Sequence, residues 1–200
     1  MIKAIIFDRH GVFDRITGES LRQKIASHTD YDTPDTIKEK IQEPRTQYDM
    51  WIIQPTDFRS IVQDTFHFTE EQTQDCRNYL NTIQPIQELR DIIPSLQKHY
   101  TLGILSDCPK DKKEMILKQY NMQPFTYQFR SCDYTKTKAQ WLDFFEIMYM
   151  YLKENNVIKK PEEILFVDDT LSNVQKAQSL DMMACHFHDV NDLKKFIHRE

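Results

Sequence analysis

Polar side chains able to do chemistry follow three apolar runs in this chain. Asp8 follows residues 2–7, Ser106 and Asp107 follow residues 102–105, and Asp168 and Asp169 follow residues 164–167. The first run (Ile2, Ala4, Ile5, Ile6, Phe7) is too short and too β-branched for a helix, and reads as a strand buried on both faces. In an open parallel sheet the carboxyl ends of the strands converge on one crevice, where ligands bind. A single polar residue after a strand reads as a turn or a helix cap; three such sites together read as a functional centre. Adjacent carboxylates such as Asp168 and Asp169 repel each other unless a cation sits between them and Asp8. Mg2+ suits oxygen ligands of this kind and keeps several of its own waters.

These residues must be carried by alternating strands and helices. Gly11 breaks the first strand. Leu89, Ile92, Ile93 and Leu96 have helical spacing over residues 86–97, before the strand 102–105. A helix from Pro109 carries Met115, Ile116 and Tyr120. A weaker strand follows at residues 127–129 and a long aromatic-rich helix at residues 139–154. After the strand 164–167, Leu171, Val174, Ala177 and Leu180 mark a helix. A short strand at 183–187 and a helix at 192–197 complete the pattern. This alternation predicts an α/β fold, a doubly wound parallel sheet with right-handed crossovers. Residues 17–82 are different: polar, Gln-rich and helical in period. Helices are expected from Ser20, from Thr33-Pro34 with Thr33 as N-cap, from Pro55 and from Thr69, with Pro44 interrupting or kinking the second. The expected organisation is an α/β core from residues 1–14 and 83–200, with a small helical cap inserted at residues 15–82.

Composition narrows the function. The chain has 200 residues and a net charge of −5, with no long basic run, which argues against nucleic acid as a partner. Three glycines supply neither a P-loop nor a dinucleotide-binding fingerprint. No apolar run reaches membrane-spanning length and no charged stretch leads into an apolar one, so a cytoplasmic protein is expected. Cys76, Cys108, Cys132 and Cys185 are widely spaced and read as free thiols, with Cys108 near enough to the centre to be weighed as a nucleophile. His186 and His188 have the spacing for two ligands on one strand face, but lack the nearby third ligand that zinc needs.

The segment IKAIIFDRHGVFD resembles the first motif of the haloacid dehalogenase (HAD) superfamily: an apolar strand, Asp, any residue, usually Asp, then Gly-Val or Gly-Thr. Three further segments resemble the motifs that follow: the strand ending at Ser106, the stretch RSCDYTKTK at residues 130–138, and ILFVDDTLSNV at residues 164–174. The departures are His10 at the second Asp position, Asp107 where Asn is common, and Ala139 where Pro is usual.

The resemblance implies a HAD-like, Rossmann-type core and a hydrolase, with Asp8 as nucleophile. Ser106 would bond a phosphoryl oxygen, helped by backbone N–H groups at the start of the Pro109 helix. Asp107 would either repel substrate anions or turn away as a cap. Lys138 would pair with Asp8 and the phosphoryl group, with Lys136 as the alternate. Mg2+ would be held by Asp8, the His10 backbone carbonyl, Asp169 and, as a second candidate, Asp168, with Asn173 acting through a water. His10 either serves as acid/base for the leaving group or only fills its position. Arg45, Tyr48, Trp51 and Arg59 of the cap are possible substrate contacts. The expected activity is that of a Mg2+-dependent phosphatase of a small phosphorylated metabolite, working through an aspartyl-phosphate as a monomer or homodimer. The alternatives are a metal-free 2-haloacid dehalogenase and a catalytically weak binding or regulatory relative.

Overall fold

In the computed structural model, β1 (Ala4–Phe7) lies at the centre of a five-stranded sheet of order β3-β2-β1-β4-β5, formed with β2 (Thr101–Ser106), β3 (Phe125–Arg130), β4 (Ile164–Asp168) and β5 (Met183–His186). The structure describes residues 1–30, 32–82, 84–112, 122–139 and 142–197. Every pairing is parallel, and Phe7 stands opposite Ile104 on one side and Val167 on the other. That register brings Asp8, Ser106 and Asp168 out at one end of the sheet, within two residues of the same level.

Side chains alternate across the pleat, so each strand feeds two cores. Ile5, Phe7, Ile104, Leu165 and Val167 pack with residues of α5 (Gln87–Leu96) and α9 (Val190–Ile197). Ala4, Ile6, Leu105 and Phe166 face the other way, against α7 (Asp143–Glu154) and α8 (Leu171–Ser179). Cover on both faces explains why the strands read as continuous apolar runs rather than alternating ones.

Between β1 and α5 lie α1 (Gly18–Ala26), α2 (Pro34–Asp49), α3 (Pro55–Phe66) and α4 (Glu70–Asn81). They enclose a separate core that includes Leu21, Ile25, Ile37, Ile41, Val62 and Phe66. Thr17, Thr33 and Thr69 cap α1, α2 and α4, each accepting the N–H three residues on. This helical layer rests on the core through Tyr48, whose hydroxyl donates to both oxygens of Asp111 at 2.8 and 2.9 Å, and Lys112, which donates to Asn81 at 2.7 Å. A third tie is Ser131, in the one-turn α6 (Ser131–Tyr134), whose Oγ donates to the Asp49 carbonyl at 2.6 Å.

Two local expectations change. Of the two outcomes expected at Pro44, interruption does not occur, since α2 runs through it. Proline removes one intrahelical bond and crowds one carbonyl, and the buried face of Ile37, Ile41 and Tyr48 on both sides of it keeps the helix together. α7 starts at Asp143 rather than at residue 139. Leu142 has φ 58°, and Lys138 and Ala139 form a turn that serves the lysine rather than the helix. The stretch 130–138 continues from β3 into α6. The helix from Pro109 is described only at residues 110–112, so Met115, Ile116 and Tyr120 lie outside the described residues. No described helix is long and apolar enough to cross a membrane.

Gly103 lies where β2 crosses Ile6. A Cβ there would sit 2.7 Å from Ile6 Cδ1 and 3.0 Å from the Tyr127 carbonyl oxygen. Gly103→Ala is expected to cost about 1–3 kcal/mol of stability through overpacking, read as a lower urea midpoint; an unchanged midpoint would show slack between β1 and β2.

Candidate active site

Lys138 is the hub of the centre. It is 3 % exposed, and its Nζ lies 2.7 Å from Asp8 Oδ1 and 2.8 Å from Asp168 Oδ2. Its backbone is held from two sides. The Lys138 N–H donates to Asp107 Oδ1 at 3.0 Å, at the end of β2. From α8, Lys176 Nζ donates to the carbonyls of Lys138 and Ala139. Lys136, the alternate, is instead paired with Asp143 at 2.9 Å.

The acidic doublet divides its work. Asp168 is fully buried: it takes Lys138, accepts the Thr170 N–H at 2.8 Å, and accepts Asn173 Nδ2 on both oxygens at 3.2 and 3.1 Å. Asn173 therefore steadies Asp168 directly. Asp169 meets the loop after β1. Gly11, at φ 76°, leaves room for it, since a Cβ there would lie 2.1 Å from Asp169 Oδ2. Glycine meets both demands, the left-handed backbone and the close approach.

Asp8, Asp168 and Asp169 each offer an oxygen within 4.8 Å of the others. Such an all-oxygen set suits Mg2+. Asp168 already spends both oxygens on Lys138, Asn173 and Thr170, so Asp8 and Asp169 are the more open donors, and the residues present fit a divalent ion.

Electrostatics follow from burial. Desolvation pushes the Asp8 carboxyl up to about 8 against the pull of Lys138, with Asp168 and Asp169 adding to the rise. Burial works against the Lys138 charge as well, but Asp168, Asp8 and Asp107 overcome it and hold the ammonium well above the ordinary lysine range. Burial raises Asp107 to about 6 and also raises Asp169, the latter with help from Asp168.

His10 is tied into its own loop. Its Nδ1 is 3.2 Å from Asp14 Oδ1, and its Nε2 meets Arg9. Burial and then Arg9 lower its pKa to about 4, so the ring is neutral near pH 7. Cys108 is no candidate nucleophile: burial raises its thiol to about 12. His186 Nε2 contacts the Asp169 carbonyl at 2.9 Å while His188 pairs with Asp192, so the two rings support loops.

The centre opens into a cavity of about 230 Å3, lined by Asp8, His10, Ser106, Asp107 and Lys138 below and by Arg22, Arg45 and Asp49 above. Of the cap contacts expected from sequence, Arg45 lines this cavity. Arg45 also lines a second cavity together with Tyr48 and Arg59, of about 200 Å3, between the helical layer and Asp111 and Lys112. Trp51 lines neither and sits in the turn after α2 at φ 62°. Sequence reasoning missed Asp49, Arg22, Asp14, Ser131 and Lys176. Only Asp49 left a signal, four residues after Arg45 on one helix and paired with it at 2.8 Å.

The raised Asp8 carboxyl has a consequence for the metal-free protein. Between about pH 4 and pH 8 the folded chain holds a proton that the unfolded chain has lost, so stability falls as pH rises through that window. Asp8→Asn removes this slope. In urea unfolding with a chelator present, the stability difference is expected to shift toward the variant by about 2–4 kcal/mol from pH 5 to pH 8; a difference that does not change with pH would show Asp8 ionised throughout.

No family profile and no curated protein matches the chain. Solved structures do. A HAD family enzyme of Bacteroides thetaiotaomicron, in its magnesium complex, superposes with a TM-score of 0.72 at 18% identity, covering 99% of both chains. A predicted HAD-like family hydrolase of Porphyromonas gingivalis gives 0.70 at 20% identity over 100% of both. The L-2-haloacid dehalogenase of Xanthobacter autotrophicus gives 0.57 at 17% identity, covering 92% of this chain and 76% of that one. The Bacteroides enzyme is also known in complex with magnesium and inorganic phosphate, matching with a TM-score of 0.66 at 19% identity over 92% of this chain and 93% of that one. With a parallel sheet ordered β3-β2-β1-β4-β5 and these superpositions over nearly the whole length, the fold of this chain is that of the HAD superfamily.

Proposed function

We propose that the chain is a Mg2+-dependent phosphatase of a small phosphorylated metabolite. The observation that carries this reading is the buried ammonium of Lys138, 2.7 Å from Asp8 and 2.8 Å from Asp168, at the floor of a cavity that also holds Ser106. A phosphoryl group brings negative charge into that cavity and needs cations to meet it. Lys138 has three donors and spends two on Asp8 and Asp168, which leaves one for a phosphoryl oxygen. The magnesium and phosphate complexes of the Bacteroides enzyme support the same reading.

Asp8 attacks phosphorus in line, the bond to the leaving oxygen breaks, that oxygen takes a proton from water in the open cavity, and the phosphoryl group rests on the aspartate. Water then attacks phosphorus and frees Asp8 and inorganic phosphate. Mg2+ held by Asp8, Asp169 and the His10 carbonyl would neutralise charge on the transferring group and keep Asp8 ionised. Ser106 orients a phosphoryl oxygen. His10, with both ring nitrogens engaged, acts as a positioning residue: it ties the nucleophile loop to Asp14. Asp107 positions Lys138 through its backbone.

Hydrolysis of an aryl phosphate with and without Mg2+ tests the reading. Turnover should need the metal and fall about a thousandfold or more in Asp8→Asn. Halide release from 2-haloacids without metal would put a dehalogenase in its place, and no turnover over a wide phosphate panel would leave a binding or regulatory protein. A second measurement concerns Asp107, ionised above about pH 6 and facing the cavity. Asp107→Asn removes that repulsion and is expected to lower KM for a phosphate ester about fivefold at pH 7.5; an unchanged KM would mean that the carboxylate does not face the substrate.

A further inference from the structure

The cap side of the active-site cavity is cationic. Lys38 and Arg45 stand seven residues apart on α2, which returns them to one helix face, and both line the cavity with Arg22 of α1. Against these three cations the cap sets one lining carboxylate, Asp49, which accepts Arg45 Nε at 2.8 Å. Arg22 donates to Glu19 at 2.7 Å through one terminal nitrogen, while its buried Nε has no hydrogen-bond partner among the described residues. Lys38 makes no ion pair among the described residues. A neutral leaving group would leave these cations to water. A second anion on the leaving group would gain charge-assisted hydrogen bonds from them.

We propose that the site takes phosphomonoesters whose leaving group carries a second anion, a carboxylate or another phosphate, bound by Arg22, Lys38 and Arg45. This rests on the phosphatase reading above and names the substrate class for it. The phosphoryl end is met by Lys138 and Ser106, and the far end by the guanidinium groups and the lysine of the cap. Selectivity then comes from the inserted helices, while the chemistry stays with the sheet.

The test compares matched esters in the intact chain with Mg2+: 3-phosphooxypropanoate and propane-1,3-diol bisphosphate, each against 3-hydroxypropyl phosphate. One or both of the charged esters should show a kcat/KM about tenfold higher, carried by KM. The arm that does so identifies the anion. The preference should shrink at about 0.5 M salt, where exposed charges are screened. Arg22→Gln and Lys38→Gln should bring the charged-to-neutral ratio toward one, with thermal melts confirming that both variants fold. Equal kcat/KM for charged and neutral esters overturns the inference and leaves the phosphatase reading standing. So does a preference for an apolar ester such as 3-phenylpropyl phosphate, which would point to the adjoining cavity that shares Leu21, Ile41 and Arg45. No turnover of any ester overturns both.

Discussion

The centre depends on one buried ion cluster, the ammonium of Lys138 held between Asp8 and Asp168. A charge taken so far from water is tolerable only with partners at hydrogen-bond distance. The sheet supplies them. β1 and β4 are neighbours in a register that brings their final carboxylates side by side, and both strands are fixed by apolar packing on two faces. The lysine arrives from a different part of the chain, and its backbone is pinned by Asp107 and Lys176. Hydrophobic packing therefore sets the position of the charges, and the charges set the conformation of the loops that carry them.

The same cluster gives a division of labour among acids that look equivalent in the sequence. Asp8 keeps one side toward the cavity and Asp169 faces the glycine turn, while Asp168 is surrounded by donors and serves the lysine. Removing Asp168 would take from the ammonium one of its two hydrogen-bonded partners and free the Asn173 amide that it holds. The fold that carries these acids is shared with the Bacteroides enzyme over 99% of both chains.

Much of this was legible from residues alone. Apolar runs 2–7, 102–105 and 164–167 end in polar side chains, and the alternation with helices predicts a parallel sheet whose strand ends meet. The edge strand β3 left a weaker signal because only Phe125, Phe129 and Arg130 of its six residues are buried. The resemblance favours Lys138 over Lys136; in the structure Lys138 is buried against Asp8 and Asp168, while Lys136 pairs with Asp143. Less visible was everything that depends on contacts distant in sequence. The continuity of α2 through Pro44 rests on packing against neighbouring helices, and the ties from Ser131 and Lys176 span 82 and 38 residues. The neutral state of His10 comes from burial beside Arg9, which no pattern of residue types reveals.

Ser131 joins three regions through one hydroxyl. Its Oγ accepts the Cys108 N–H at 2.8 Å and gives its proton to the Asp49 carbonyl at the end of α2, while its own backbone starts the turn that leads to Lys138. Any displacement of the inserted helices away from the sheet would break that donation and loosen the start of the lysine segment with it, so the end of α2 and the approach to Lys138 hold their places through one shared proton.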